Sequence, residues 1–94
     1  MSIVHNLKCD PKPFQDVWDG KKKAELRIDD GRGFKVGHHF KLAETTADRK
    51  ELTGRTISGR FTHMINVSDW VKVDSEHPVF MISIATTEMA ESFV

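Results

Sequence analysis

The chain has a single cysteine, Cys9, so no disulfide can form within it, and a reducing cytosolic setting is the natural expectation. No apolar run approaches the ~20 residues needed to cross a bilayer. The N-terminal segment MSIVHNLKCDPK lacks the basic stretch, apolar run and small-residue cleavage site of a secretory signal, so no membrane role is expected. Net charge is also missing: fourteen basic side chains face fourteen acidic ones. A non-specific nucleic-acid binder gains affinity by neutralising many phosphates, and a neutral chain has no such footprint. Any nucleic-acid role must rest on a local basic patch or a pocket for a single base. There is no internal repeat, low-complexity segment or linker, and no GxSxG, P-loop or GxGxxG pattern; Gly31-Arg32-Gly33 lacks the rest of any phosphate loop.

What is present fits one domain over residues 1–94, with enough chain to bury roughly two-thirds of its unfolded surface. Ile3 to Cys9 reads as a first strand, in which Cys9 alternates with apolar neighbours and serves as a small buried hydrophobe rather than a reactive thiol. Asp10-Pro11 supplies an N-cap and a proline at the first helical position. Phe14, Val17 and Trp18 form one apolar stripe of a ten-residue helix that Gly20 ends.

From Lys23 the period becomes two. Ala24, Leu26 and Ile28 fall on one face, Lys23, Glu25 and Arg27 on the other. A glycine-containing loop over Asp29–Gly33 leads to Phe34 and Val36, then to a strand near His38–Glu44. A long strand follows from Arg55 to about Val67, with a bulge or bend at Gly59. Ser68–His77 is a connection, and Val79–Ala85 is the most hydrophobic strand. The tail over 86–94 reads either as a helical turn or as a frayed end. Several short strands and one early helix predict a mainly β, α+β domain whose antiparallel sheet curls or closes into a small barrel. The expected core is Leu7, Phe14, Val17, Leu26, Phe34, Val36, Leu42, Ile57, Phe61, Ile65, Phe80 and Ile82.

The stretch Gly20-Lys21-Lys22-Lys23-Ala24-Glu25-Leu26-Arg27 carries the most chemical information. A charged strand face beside a lysine-rich turn can line a cleft for polar groups or phosphate; the plain alternative is a solvated face. Arg32, Lys35, Arg55 and Arg60 would add a basic rim if the barrel gathers their loops. Phe34, Trp18 and Trp70 are the residues able to stack a base, against simple packing or loop anchoring. The histidines do not form a metal site: His38 and His39 are neighbours on opposite strand faces, and His5, His63 and His77 have no partner at zinc spacing. No metal or cofactor is expected.

The run His5-Asn6-Leu7-Lys8, then Phe14, Val17, Gly20-x-Lys22, Glu25-Leu26-Arg27 and Arg32-x-Phe34-x-Val36-Gly37, resembles small phage and bacterial domains grouped with the ASCH (activating signal cointegrator homology) domains of the PUA-like superfamily. Thr53-Gly54-Arg55 and the apolar segment Val79–Ile84 continue the pattern, which spans about residues 5 to 84. His38 stands where the family has an aspartate, and the loop between Arg27 and Phe34 is one residue longer. The resemblance implies a small barrel in the cytoplasm of a bacterial host, with a cleft suited to RNA, a nucleotide or a modified nucleoside; together with the residue reading above, Lys22, Glu25, Arg27, Arg32, Phe34 and Arg55 are the expected binding residues.

Some ASCH relatives are amidohydrolases that remove an acyl group from N4-acylcytidine with a lysine, a threonine and a glutamate. Lys22 matches the lysine and is, with Glu25, the candidate for catalysis. Glu25, however, stands in the threonine position, so the hydroxyl is missing. A carboxylate there favours the charged ammonium and opposes a lysine base. Arg27 in turn stabilises the charged carboxylate and weakens it as a base. A binding module is therefore the leading expectation, the amidohydrolase an alternative, and a phage factor that engages a host protein a third.

Overall fold

The computed structural model describes residues 3–71 and 76–92, so part of the Ser68–His77 connection and the last two residues of the tail lie outside the described residues. Within them the chain forms β1 (Val4–Cys9), α1 (Pro11–Trp18), β2 (Ala24–Ile28), β3 (His39–Thr45), β4 (Leu52–Asn66) and β5 (Val79–Glu91). The five strands make one sheet in the order β1-β3-β4-β5-β2. β1 runs parallel to β3, and the other neighbours are antiparallel.

The sheet curls into a half-barrel without closing. Register shifts at Ser58/Gly59 and Phe61/His63 on β4, and at Ala43/Thr45 on β3, are the bulges that bend it. Gly59 sits at one such bend because a Cβ there would run into the Phe40 ring at 2.7 Å and into the Ala85 carbonyl. Phe40 in turn stacks on Phe61, with ring centroids 5.7 Å apart. Leu7, Leu42, Ile57, Ile82 and Ile84 fill the concave side, and α1 lies across it with Phe14 and Val17 fully enclosed. An eight-residue helix has little stability of its own, so this apolar contact is what holds it. Gly20, at φ 75°, ends it as expected, and the Lys21 and Lys22 amides return to the Asp16 carbonyl.

Several expectations need correction. The helix has eight residues rather than ten. Asp10 occupies the N-cap position but makes no side-chain cap, because its carboxylate is held by Arg49 through bonds of 2.9 and 2.7 Å. The tail is neither a helical turn nor frayed through Glu91: β4 begins at Leu52, and Arg55 pairs with Glu91, giving the tail a strand partner.

The face of β2 is the reverse of the alternation rule. Glu25 is 5% exposed, whereas Leu26 is 47% exposed and Ile28 is also outside. Val36 and Ile65, expected in the core, are exposed as well, and Phe80 is half-buried. Val36 belongs to the turn before β3. Ile65 lies beyond the second bulge of β4, opposite Met81, which itself opposes Leu26. Leu26, Met81 and Ile65 thus form an apolar row across the convex face.

Candidate functional site

β1 and β2 are the two edges of the curled sheet, and they face each other across a seam. No backbone hydrogen bond joins them among the described residues. Side chains span the gap instead: the Arg27 guanidinium donates to the Lys8 carbonyl at 2.9 Å, and that of Arg32 to the Asn6 carbonyl at 3.1 Å. On the β2 side, the Lys22 ammonium donates to the Ala24 carbonyl.

This explains the inverted strand. Glu25 points inward because two cations meet it there: Lys22 Nζ lies 2.5 Å from Oε1, and Arg27 Nε 3.1 Å from Oε2. A carboxylate so paired can be buried without an orphaned charge. The price of that inward charge is an apolar exterior at Leu26 and Ile28.

A cleft of about 480 Å³ opens at the end of the seam next to α1. Lys22, Glu25 and Arg27 form one wall; Lys8, Cys9 and the Asp10–Arg49 pair form the other, with Thr45 at the floor. Four cationic side chains therefore meet two carboxylates, a local excess of positive charge in a chain that has none overall. The hydrogen bonds from Arg49 hold the Asp10 carboxyl below its ordinary value and keep that carboxylate charged. Cys9 has its thiol pushed up to about 11, by burial first and the Glu25 charge second, so it is an inert wall rather than a nucleophile. The Thr45 hydroxyl points to the Cys9 carbonyl at 3.4 Å. Both Glu25 oxygens and the Lys22 ammonium are engaged with each other, with Arg27 or with the backbone. The cleft therefore carries two more cationic than anionic side chains, and its carboxylates and Lys22 are already paired.

The other sequence-predicted residues lie elsewhere. Arg32 lines a second hollow, about 330 Å³, on the far side of Arg27, together with Leu7, Ile28 and Phe34. The Phe34 ring is buried against His5 and Phe61, so it offers no free face to a base. Arg55 lines no part of the cleft: it grips Glu44 with two bonds of 3.0 and 2.8 Å, reaches Gln15, and lies over the Phe14 and Trp18 rings. Trp18 is thereby covered, and Trp70, at 77% exposed, lines no part of the cleft. Lys35 and Arg60 are solvent-exposed and line neither hollow.

His5, which looked isolated in the sequence, has its Nε2 2.9 Å from His38 Nδ1. Burial, then the charges of His38 and Arg32, lower its pKa, against an opposing pull from Asp29. Among the described residues no three His, Cys, Asp or Glu side chains gather as a metal site. No helix there is long and apolar enough to cross a membrane.

Sequence reading missed Lys8, Asp10, Thr45 and Arg49, which reach the cleft through tertiary pairing. No local sequence signal marks them; Arg49, the only non-glycine residue with positive φ among the described residues (63°), stands out only once the fold is known.

Comparison with known proteins matches residues 4–82 to a family described as "Domain of unknown function (DUF3850)". A relative from Escherichia phage P2, described as "Uncharacterized 12.9 kDa protein in GpA 3'region", is 35% identical over 72 residues. That match covers 77% of this chain and 63% of the relative, so the chain spans less than two thirds of that protein's length. The family match includes the whole of β1, α1, β2, β3 and β4, and with them the seam and every wall of the cleft. This chain belongs to that domain family, DUF3850.

Proposed function

We propose that the chain is a PUA-like, ASCH-related domain whose seam cleft binds a nucleotide, free or at the end of an RNA strand, chiefly through its phosphate. The fold-level part of this reading is supported by the order of the sequence motifs and by a half-barrel with a helix after its first strand. The ligand is supported by one observation: four cations and two carboxylates converge on a cleft of about 480 Å³ in a chain of zero net charge. That volume falls within the range of ordinary small-molecule sites.

Phosphate rather than base carries the affinity, because no aromatic side chain lines the cleft. Lys22 and Arg27 contact the phosphate oxygens, and Glu25 braces both cations from behind. α1 adds little, since prolines at positions 11 and 13 remove donors from its first turn.

Calorimetric titration with cytidine 5′-monophosphate at low and high ionic strength tests the reading. Saturable binding that weakens with salt is expected, and Lys22→Ala or Arg27→Ala should each cost about tenfold, or 1.4 kcal/mol. Equal affinity for cytidine, or unchanged affinity in both variants, would count decisively against it.

A further inference from the structure

The two edges of the seam have an unused strand-pairing capacity. In β1 the amide and carbonyl groups of alternate residues turn toward β3, as the bond from His39 N–H to the Ile3 carbonyl shows, which leaves Val4, Asn6 and Lys8 turned toward the seam. In β2 the bonds from Ile84 N–H to the Lys23 carbonyl and from Asp29 N–H to the Pro78 carbonyl set the phase, leaving Ala24, Leu26 and Ile28 turned toward the seam. The carbonyls of Asn6, Lys8 and Ala24 are occupied by the side chains of Arg32, Arg27 and Lys22. The amides beside them point into the same gap.

One strand inserted there would need edges about 9–10 Å apart, twice the inter-strand spacing. The present gap is spanned only by the Arg27 and Arg32 side chains and their hydrogen bonds to the Lys8 and Asn6 carbonyls. Side-chain polarity along β2 fits too. The inner face of an inserted strand would lie beside Arg27 and Lys22 on that edge and beside His5 and Leu7 of β1; its outer face would lie beside exposed Leu26 and Ile28 of β2 and beside Val4, Asn6 and Lys8 of β1.

We propose that the seam between β1 and β2 receives an extended acidic segment of a protein partner as a sixth strand, with its carboxylates turned inward and its apolar side chains outward. Displaced from the edge carbonyls, Arg27 and Arg32 pair with the carboxylates, while the strand takes over the backbone bonds. Charge selects the partner: the two hollows along the seam hold more cations than carboxylates, so a basic segment is repelled. This goes beyond the nucleotide reading and does not require it; the two share Arg27 and Lys22, so a nucleotide and the inserted strand would compete.

The test uses the full chain and a capped seven-residue peptide alternating valine and glutamate, with a lysine-for-glutamate control and an oligouridylate, followed by titration and residue-resolved hydrogen exchange. Saturable binding of the glutamate peptide should slow exchange at the Asn6, Lys8, Leu26 and Ile28 amides at least tenfold. Ile28→Glu should weaken the peptide about tenfold while leaving cytidine 5′-monophosphate affinity unchanged. Equal binding of the lysine peptide, binding without protection of those amides, or the same protection by oligouridylate with the peptide excluded would each overturn the proposal. Failure of the mononucleotide titration alone would overturn the nucleotide reading and leave this one standing.

Discussion

Two buried carboxylates in this molecule, Glu25 and Glu44, are equally hidden from solvent at 5% exposure, yet they sit in opposite kinds of place. Glu44 is enclosed: Arg55 takes it in a two-bond grip, Thr53 adds a bond of 2.6 Å, and Phe14 and Trp18 lie against the guanidinium. Glu25 is paired just as fully, but its cations stand at an open seam and spend their remaining donors on backbone carbonyls that lack strand partners. The same chemistry serves as a rivet in one place and as a charged lining in the other. What separates them is whether the arginine's far side meets a ring or a gap.

The sharpest way to break the comparison is Arg55→Ala. Removing one partner of an enclosed ion pair strands the other, and the expected cost is about 3–5 kcal/mol in urea unfolding. Nucleotide affinity of the folded fraction should be unchanged, and a parallel loss of affinity would merge the two regions into one site. Glu25→Gln should do the reverse. It keeps the hydrogen-bonding shape but frees the charge of Lys22 and Arg27, so anion affinity should rise about threefold to tenfold. A fall would mean that Glu25 itself touches the ligand.

The smallest effect concerns pH. The folded pKa of His5 lies below its ordinary value of 6.5, so the unfolded chain binds the proton more readily. Stability is unaffected above 6.5, falls as pH drops from there to the folded value, and then levels. His5→Gln should remove that slope from unfolding curves measured between pH 7 and 5 and leave the steeper loss below 4.5. That second loss belongs in part to Glu44, whose carboxyl the Arg55 hydrogen bonds hold low.

Much of the fold was legible because local and global signals agreed. Leu7, Phe14, Val17, Phe34, Leu42, Ile57, Phe61 and Ile82 follow strand or helix periodicity, and all are buried. β2 defeated the same rule because its inward side is solvated by its own lysine and arginine, a compensation that a period-two pattern does not register. Trp18 and Phe34 have the shape of stacking residues but are used up by Arg55 and His5. At the cleft, Lys22, Glu25 and Arg27 were visible as one charged run. Asp10 and Arg49 were not, since the ion pair that joins them links residues 39 positions apart. The extension of β5 to Glu91 was hidden likewise, because its cause is a distant partner strand that starts at Leu52, three residues before the expected Arg55.

The strand order has a consequence for how the cleft comes into being. β3, β4 and β5 are neighbours in the sheet in sequence order, whereas β2 pairs its residues near 25 with residues near 82 on β5. Closing so long a loop is slow, and it is rewarded only once β5 has a template to lie on. β1 is made first on the ribosome and also has to wait for β3. The two walls of the seam are thus early in synthesis and late in assembly, so the cleft takes its shape only after β3 and β5 are in place.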